Sequence, residues 1–245
     1  SVRFEDTASI NMWEGTRFDV LGGSFVMANN STLVAYPFTQ GTIVGGDFYV
    51  YDNASVTFIQ SNINIVGALN SNSSVPVQFI ANSTIIIDGA PVVIYGDATI
   101  YINNSTFVHV IDGSIVLRDY ATLLSEGGSI LVSGGSIIGL DYSSILATDG
   151  SDFVVTGGNV TTDDSSYLLV DTQSILTVTA NGTSSGSVYV LGESTMEVIN
   201  QSQLLVIEGN LEIADHTHFH TSNGTLIRVI DGDIAISDYV SFDAL

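Results

Sequence analysis

Apolar and polar residues alternate in short runs along the whole chain, and Gly, Asn, Asp or Ser separates one run from the next. Phe48-x-Val50 and Ile234-x-Ile236 are two such runs. Alternation with a period of two, in segments rich in β-branched residues, predicts β-strands. No segment has a long stripe of apolar residues at the i, i+3, i+4 spacing of a helix. We therefore predict an all-β protein built from short strands.

The chain also aligns with itself. Val110–Tyr120 matches Val229–Tyr239 in its apolar positions and in its Asp-Gly and Asp-Tyr pairs. One turn residue, most often glycine, marks each copy: Gly23, Gly46, Gly67, Gly89, Gly113, Gly135, Gly158, Asn181, Gly209 and Gly232. Successive markers lie 21 to 28 residues apart, and most intervals are 22 or 23. The sequence thus predicts about ten copies of one unit in a single domain over residues 1–245, with an insertion around 183–187.

Each unit is long enough for three strands, because strands recur about every 7–8 residues. Apolar residues occupy fixed columns three residues before the marker, two after it and ten after it. When each coil stacks on the previous one, such columns become ladders inside three parallel sheets. We predict a three-sided parallel β-helix of about ten coils of 22–23 residues, without capping helices. We expect a right-handed coil, since right-handed crossovers dominate parallel sheets.

The amino-acid composition restricts the classes of partner that the chain can bind. The chain has 26 Asp and Glu, four Arg, no Lys and no Cys, and its formal net charge is −22. This charge opposes binding to nucleic acids and anionic membranes, which depends on Lys and Arg. No apolar run approaches the length of about 18–20 residues that spans a bilayer. Neutral glycans, cations and other copies of the chain remain possible partners.

The predicted coil, with its Gly-Gly-Ser-Ile segment at Gly134–Ile137, resembles the right-handed parallel β-helix class, the pectin-lyase-like fold. Polysaccharide lyases, some glycosidases, phage tailspikes and adhesin passengers share this fold, so the resemblance implies architecture without fixing an activity. The composition of its repeats is most similar to that of the non-enzymatic surface and adhesin solenoids. The Arg- and Lys-rich clefts of the lyases have no counterpart in a chain without lysine. Of a polygalacturonase-like set only Asp163-Asp164 is present.

Acidic residues recur at two positions of the unit. One set lies six residues after the marker and the other precedes it. Stacked carboxylates repel one another, and Ca²⁺ with its oxygen ligands would relieve the repulsion. The candidate calcium ligands are Asp112, Asp119, Asp141 and Asp164. The alternative is that Asp serves turn geometry by accepting hydrogen bonds from the backbone.

Three histidines alternate along one segment, His216, His218 and His220. Because Phe219 falls in an apolar column, the histidines should point outward. Two outward histidines at i and i+2 can share a transition metal, and solvent-facing strand residues are the simpler interpretation.

Asn-x-Ser/Thr sequons are frequent, and the column alignment places all of them at turns, where an attached glycan would project into solvent. They begin at Asn29, Asn30, Asn53, Asn72, Asn82, Asn103, Asn104, Asn159, Asn181, Asn200 and Asn223. Occupied sequons imply a secretory route and an extracellular or cell-surface location. The alternative is that Asn, Ser and Thr are present as the turn residues of the coil.

The first and last coils lie in frame with the repeat, and no capping helix is predicted at either end. Uncapped coils expose backbone edges and apolar side chains. Either the sequence is part of a longer solenoid or one subunit stacks on the next. Head-to-tail stacking generates an open filament. The sequence favours a non-enzymatic structural subunit of an extracellular filament, sheath or fibre. A carbohydrate-active or glycan-binding β-helix and a segment of an adhesin or tail fibre are the alternatives.

Overall fold

The computed structural model describes residues 1–222 and 224–244, with Phe242 described by its backbone alone. Within these residues there are 32 strands and no helix. The first fifteen strands are β1 (Val2–Phe4), β2 (Ser9–Met12), β3 (Arg17–Leu21), β4 (Phe25–Met27), β5 (Thr32–Ala35), β6 (Gln40–Val44), β7 (Phe48–Asp52), β8 (Ser55–Ile59), β9 (Asn62–Val66), β10 (Leu69–Ser73), β11 (Val77–Ile80), β12 (Thr84–Asp88), β13 (Val92–Ile94), β14 (Thr99–Asn103) and β15 (Phe107–Ile111).

The remaining strands are β16 (Ile115–Leu117), β17 (Thr122–Glu126), β18 (Ser129–Ser133), β19 (Ile137–Gly139), β20 (Ser144–Thr148), β21 (Asp152–Thr156), β22 (Val160–Thr162), β23 (Tyr167–Val170), β24 (Ile175–Thr179), β25 (Val188–Val190), β26 (Thr195–Val198), β27 (Gln203–Ile207), β28 (Leu211–Ile213), β29 (His218–Thr221), β30 (Leu226–Ile230), β31 (Ile234–Ile236) and β32 (Ser241–Ala244).

Every third strand belongs to the same sheet. Sheet A runs from β1 to β31 and sheet B from β2 to β32, with 11 strands each, and sheet C runs from β3 to β30 with 10. Neighbouring strands of a sheet are parallel, as in the pairing of β15 with β18. Three successive strands therefore form one coil. The predicted all-β, three-sided parallel solenoid of about ten coils is confirmed, and it is the architecture of the parallel β-helix class.

Stacked inward-facing residues form the core. Leu123 pairs with Ile145, and Ile145 with Leu168, so one apolar residue lies above another in each coil. These side chains are at most 1% exposed. Burial removes apolar surface from water at every rung, and a fully buried Leu or Ile side chain contributes about 1.5–3 kcal/mol. The repeat of columns in the sequence is thus the repeat of rungs in the core.

Two of the predicted repeat markers are wrong. Gly113 stacks on Ala90 rather than on Gly89, and Gly209 stacks on Gly186 rather than on Asn181. The first shift also changes a core assignment, because Ile87 is fully buried and Ile86 faces outward. When Ala90 and Gly186 replace Gly89 and Asn181 as markers, each coil still has three strands. The inserted residues then lie in the connection after β24.

Close approach between coils explains the column of glycines. A Cβ atom on Gly135 would overlap the carbonyl oxygen of Gly113, and one on Gly158 would overlap that of Gly135. Positive φ angles occur one residue earlier, at Gly134 (79°) and Asp112 (50°). The marker glycines are therefore required by packing, and the residues before them by the turn.

The insertion extends one corner. Residues 180–187 connect β24 to β25, whereas residues 157–159 make the equivalent connection from β21 to β22. Within the longer loop, Asn181 Oδ1 accepts hydrogen bonds from the backbone N–H groups of Thr183 and Ser184, both at 3.0 Å. The strands on either side keep their register, since Val160 pairs with Val188.

Candidate functional site

The A–B corner, which connects each strand of sheet A to the next strand of sheet B, carries the acidic column. Asp119, Asp141 and Asp164 adopt φ angles of 60°, 61° and 60° there. The Asp119 N–H donates to Asp141 Oδ2 at 3.2 Å, and the Asp141 N–H donates to Asp164 Oδ2 at 3.4 Å. Each carboxylate thus accepts a hydrogen bond from the coil before it. Asp fits this corner because its short polar side chain tolerates a positive φ and bonds the backbone.

The structure separates Asp112 from the other three predicted calcium ligands. Asp112 lies at the C–A corner, which connects sheet C to sheet A, between β15 and β16. Asp119, Asp141 and Asp164 lie at the A–B corner. Among residues 1–222 and 224–244, no group of three or more His, Asp or Glu side chains is arranged to hold a metal ion. The four residues do not form one site, and the observed hydrogen bonds favour the turn interpretation.

A polar ladder that the sequence analysis missed lies at the C–A corner. Ser136 Oγ accepts the N–H of Asn159 at 2.9 Å, and Asn159 Oδ1 accepts the N–H of Ser187 at 3.0 Å. Ser187 Oγ continues the ladder to the N–H of Asn210 at 3.0 Å. These side chains thus accept hydrogen bonds from backbone N–H groups of the following coil. The sequence signal from which this ladder could have been predicted is a column of Ser, Asn and Asp directly after the marker residue.

The sequons divide between turns and strands. Among the described asparagines of the set, seven are exposed at turns or in a strand: Asn30, Asn53, Asn72, Asn82, Asn104, Asn181 and Asn200. Asn29, Asn103 and Asn159 are half-buried, and Asn223 lies outside the described residues. Asn72 lies within β10 and Asn103 ends β14, so the prediction that every sequon begins at a turn is wrong.

The histidines of the predicted alternating segment point outward. His218 is exposed and His220 half-buried, whereas Thr217 and Phe219 between them are buried. His218 Nδ1 lies 2.6 Å from Ser241 Oγ, and the His216 ring stacks on Tyr239 with centroids 5.1 Å apart. The described contacts of this segment are thus those of an outward strand face.

Tyrosines form two surface groups. At the A–B corner the rings of Tyr120 and Tyr142 stack with centroids 5.3 Å apart, and 63% and 59% of these residues is exposed. An open cavity of about 380 Å³ beside them is lined by Asp141, Tyr142, Asp164, Ser165, Gly192 and Glu193. On sheet A, Tyr49 donates a 2.6 Å hydrogen bond to Asp47. This bond, with burial, raises the pKa of Tyr49 from 10.0 to about 12.

The last described coils expose apolar side chains that would otherwise belong to the core. Ile234 and Ile236 of β31 continue the inward columns of sheet A and are 54% and 55% exposed. They line an apolar cavity of about 260 Å³ together with Leu211, Ile213, Phe219 and Ile227. Their counterparts one coil earlier, Leu211 and Ile213, are at most 1% exposed. In the described part of sheet A, β31 is the last strand, and its side chains have no neighbouring strand on one side.

The first described coil also leaves apolar side chains incompletely buried. Phe4, Ile10, Met12, Phe18 and Val20 pack against the core but are only partly buried. Two arginines flank them in surface ion pairs, Arg3 with Glu5 and Arg17 with Asp19. Each strand of this coil pairs on one side only, as β1 does with β4. Both end coils therefore present apolar side chains and a row of unpaired backbone groups.

Comparison of the chain with protein-family models, with curated proteins and with solved structures found no match. Over the residues that the structure describes, no helix has the length and apolar character needed to cross a membrane. The chain is thus defined by its fold, a three-sided parallel β-solenoid, and its candidate sites by their own geometry.

Proposed function

We propose that the protein is a non-enzymatic structural subunit whose copies stack end to end into an extracellular filament, sheath or surface fibre. The observation that carries this proposal is the exposure of Ile234 and Ile236 at one end, opposite a first coil with partly buried apolar residues. Unpaired edges of parallel sheets are templates for further strands. A second copy that stacks in register would bury both surfaces and extend all three ladders.

The two ends are different surfaces of one subunit, so the contact is head to tail. A contact of this kind does not close on itself unless its rotation does, and it generates an open filament. The recognition mode is strand addition, in which backbone hydrogen bonds supply affinity and side-chain columns supply register. A further coil of the same chain would cover the same surface, as in the alternative of a segment of an adhesin or tail fibre.

Electron microscopy of the purified protein tests the proposal. We expect unbranched fibres from the 245-residue chain, compared with single rods of about 50 Å for eleven rungs at about 4.8 Å spacing. Ile236→Asp should leave short rods, because it places a charge in the apolar joint. Ile138→Asp, in the middle of sheet A and facing outward, should still form fibres. Rods of one subunit length from the unmodified chain would contradict end-to-end stacking.

Exposed sequons support an extracellular, glycosylated form. Asn30, Asn53 and Asn82 lie at turns and are exposed, which gives a transferase access to them. The intact mass of protein from its natural source, before and after removal of N-glycans, tests this part of the proposal. A mass equal to that of the unmodified chain would contradict it.

Glycan binding is the second candidate, and the stacked, exposed rings of Tyr120 and Tyr142 favour it. Aromatic faces beside carboxylates offer a sugar ring apolar contact together with hydrogen-bond acceptors. Nearby Asp163 Oδ1 accepts the N–H of Asp164 at 2.7 Å, a contact within the turn. Titration of neutral oligosaccharides into the protein and into Tyr142→Ala tests this candidate. Equal heats for the two proteins would exclude this corner.

A further inference from the structure

An open cavity lies on the outward face of sheet C, above strands β6, β9 and β12. Its volume is about 400 Å³, and small-molecule sites have volumes of about 300–1,000 Å³. Arg17 of β3 lines the cavity on the side of the first coil, and Ile86 of β12 lines it on the opposite side. The remaining outward-facing residues of the lining are polar: Gln40, Thr42, Asn62, Asn64 and Thr84.

The register of the sheet brings the carboxamides of this cavity together. Gln40 is the Cα partner of Asn62, and Thr42 is the partner of Asn64. Asn62 is in turn the partner of Thr84. Neighbouring strands are about 4.8 Å apart, and alternate residues of a strand face the same side. Three carboxamide groups from two adjacent strands therefore share one small area of the face.

The five polar side chains are available to bond a ligand. No side-chain hydrogen bond joins any of them to another residue in the part of the chain that the structure describes. Asn64 Oδ1 is in addition buried without a partner. On sheet B, by contrast, Gln78 Oε1 accepts from Thr57 Oγ1 at 3.3 Å, and Asn103 Nδ2 donates to the Tyr101 hydroxyl. A buried acceptor without a partner is costly, and a ligand donor would relieve the cost once the Asn64 carboxamide turns toward the cavity.

The charges around the cavity favour a neutral ligand. Among the described residues that line it, Arg17 is the one with a charged side chain. Arg17 Nε donates to Asp19 Oδ2 at 2.9 Å, so the positive charge is balanced beside the cavity. The net charge of −22 opposes the approach of an anion. A cation would find no carboxylate among the described lining residues.

We propose that this cavity binds a neutral saccharide. Carboxamides and hydroxyl groups both donate and accept hydrogen bonds, as the adjacent hydroxyl groups of a sugar do. Ile86 is half-buried and offers apolar contact to the C–H groups of a sugar ring. A peptide that adds as a strand needs a free sheet edge, whereas β6, β9 and β12 each have a paired strand on both sides.

The saccharide site is independent of the functions proposed above. It lies on sheet C, whereas Tyr120 and Tyr142 lie at the A–B corner, to which sheet C does not contribute. It also uses the side of the rod, so end-to-end stacking leaves it open. Failure of either earlier proposal would therefore leave this one standing, and the reverse also holds.

Isothermal titration calorimetry with neutral oligosaccharides of glucose, galactose and mannose tests the site. We expect saturable binding by the unmodified protein. The double variant Asn62→Ala/Asn64→Ala should raise the Kd at least about 10-fold, because the ligand loses two or more hydrogen bonds. Asn70→Ala is the matched control and should change the Kd less than about 3-fold. Asn70 is also an outward-facing, half-buried carboxamide without a side-chain hydrogen bond to a described residue, but it lies outside the cavity.

A blocking variant gives a second readout that keeps the polar groups in place. Thr42→Tyr fills the cavity with a residue that suits an outward strand position, so it should abolish binding while the melting temperature is kept. Added salt should hardly change the Kd of the unmodified protein, whereas an anion held by Arg17 would bind more weakly.

Three results would overturn the proposal. The first is the absence of saturable binding across the oligosaccharides, and the second is an unchanged Kd in Thr42→Tyr. The third is binding that Tyr142→Ala removes and Asn62→Ala/Asn64→Ala retains, which would assign the saccharide to the A–B corner instead.

Discussion

Aspartate and asparagine occupy the A–B corner because that corner needs a residue that tolerates a positive φ and supplies an acceptor. Asn29 and Asp52 show the two solutions, with φ angles of 57° and 58°. The Asn29 N–H donates to Asp52 Oδ2 at 3.3 Å, which repeats the contact between Asp119 and Asp141. Turn geometry thus accounts for the acidic column without a bound ion.

Asp141→Asn should leave stability nearly unchanged, within about 0.5 kcal/mol, because the amide oxygen still accepts the Asp119 N–H and Asn tolerates the same φ. Asp141→Ala should lower the free energy of unfolding by about 1–2 kcal/mol, since it loses both properties. Thermal unfolding with and without a calcium chelator is the measurement. A chelator-induced drop in the melting temperature that Asp141→Asn abolishes would restore the calcium interpretation.

The raised pKa of Tyr49 in sheet A makes the stability of the fold depend on pH in the alkaline range. Its hydrogen bond to Asp47, with burial, raises its pKa from 10.0 to about 12, so the folded state holds the phenolic proton more tightly than the unfolded chain. The corresponding stabilisation is complete below pH 10 and is lost as the pH rises through 12. Tyr49→Phe should therefore lower the melting temperature at pH 8 and converge with the unmodified protein at high pH.

Tyr189→Phe is the control, because Tyr189 lies in the same outward column of sheet A and has Ser187 rather than a carboxylate two residues before it. Melting temperatures measured from pH 8 to the alkaline limit of folding would show the difference. A gap between Tyr49→Phe and the unmodified protein that widens with pH would contradict the assignment.

The coil is the element that the sequence predicts best. Its three inward columns follow from strict alternation, and the pairing of Leu123 with Ile145 confirms the column ten residues after the marker. The prediction fails where alternation is lost. The run Ile85-Ile86-Ile87 contains no polar residue that would identify the outward-facing position. The Asp88-Gly89 pair resembles Asp112-Gly113 in sequence, but the residue equivalent to Gly113 is Ala90, one position later.

Strand β10 shows the opposite failure. Its sequence Leu69-Asn70-Ser71-Asn72-Ser73 has one apolar residue, so hydrophobic alternation does not identify it as a strand. Ser71 and Ser73 are nevertheless fully buried, and Ser73 Oγ donates to the Ala54 carbonyl at 2.7 Å. Pairing with β7 and β13 overrides the weak local signal.

Stacking of coils makes the marker glycines the most sensitive positions of the element. Gly135→Ala should lower the free energy of unfolding by about 2–4 kcal/mol, because its Cβ would overlap the Gly113 carbonyl of the neighbouring coil. Gly150→Ala is the control: Gly150 has a φ of 78° and no atom within 4 Å of an added Cβ, so only the cost of the positive φ, about 1–2 kcal/mol, applies. Equal losses in denaturant unfolding would contradict the packing role.

The whole molecule carries acidic residues at its corners and exposed apolar side chains in its end coils, and these two features have opposite effects on association between copies. The net charge of −22 opposes contacts in most orientations. The end coils are the regions where apolar side chains of the core columns are exposed to solvent. The repeat predicts the apolar columns of the first and last described coils, because both coils lie in frame with it.

Backbone hydrogen exchange tests where the axial joint lies, because stacking covers the free edges of the end coils. Stacking of end coils supplies hydrogen-bond partners to the free edges of β1 and β31, whereas the backbones of β15 and β18 are already bonded on both sides. We therefore expect amides of β31 and of the first coil to exchange fastest in the dispersed rod and to gain protection in fibres. Amides of β15 and β18 should be protected in both states. Unchanged exchange in β31 on fibre formation would place the axial joint elsewhere, even if fibres are seen.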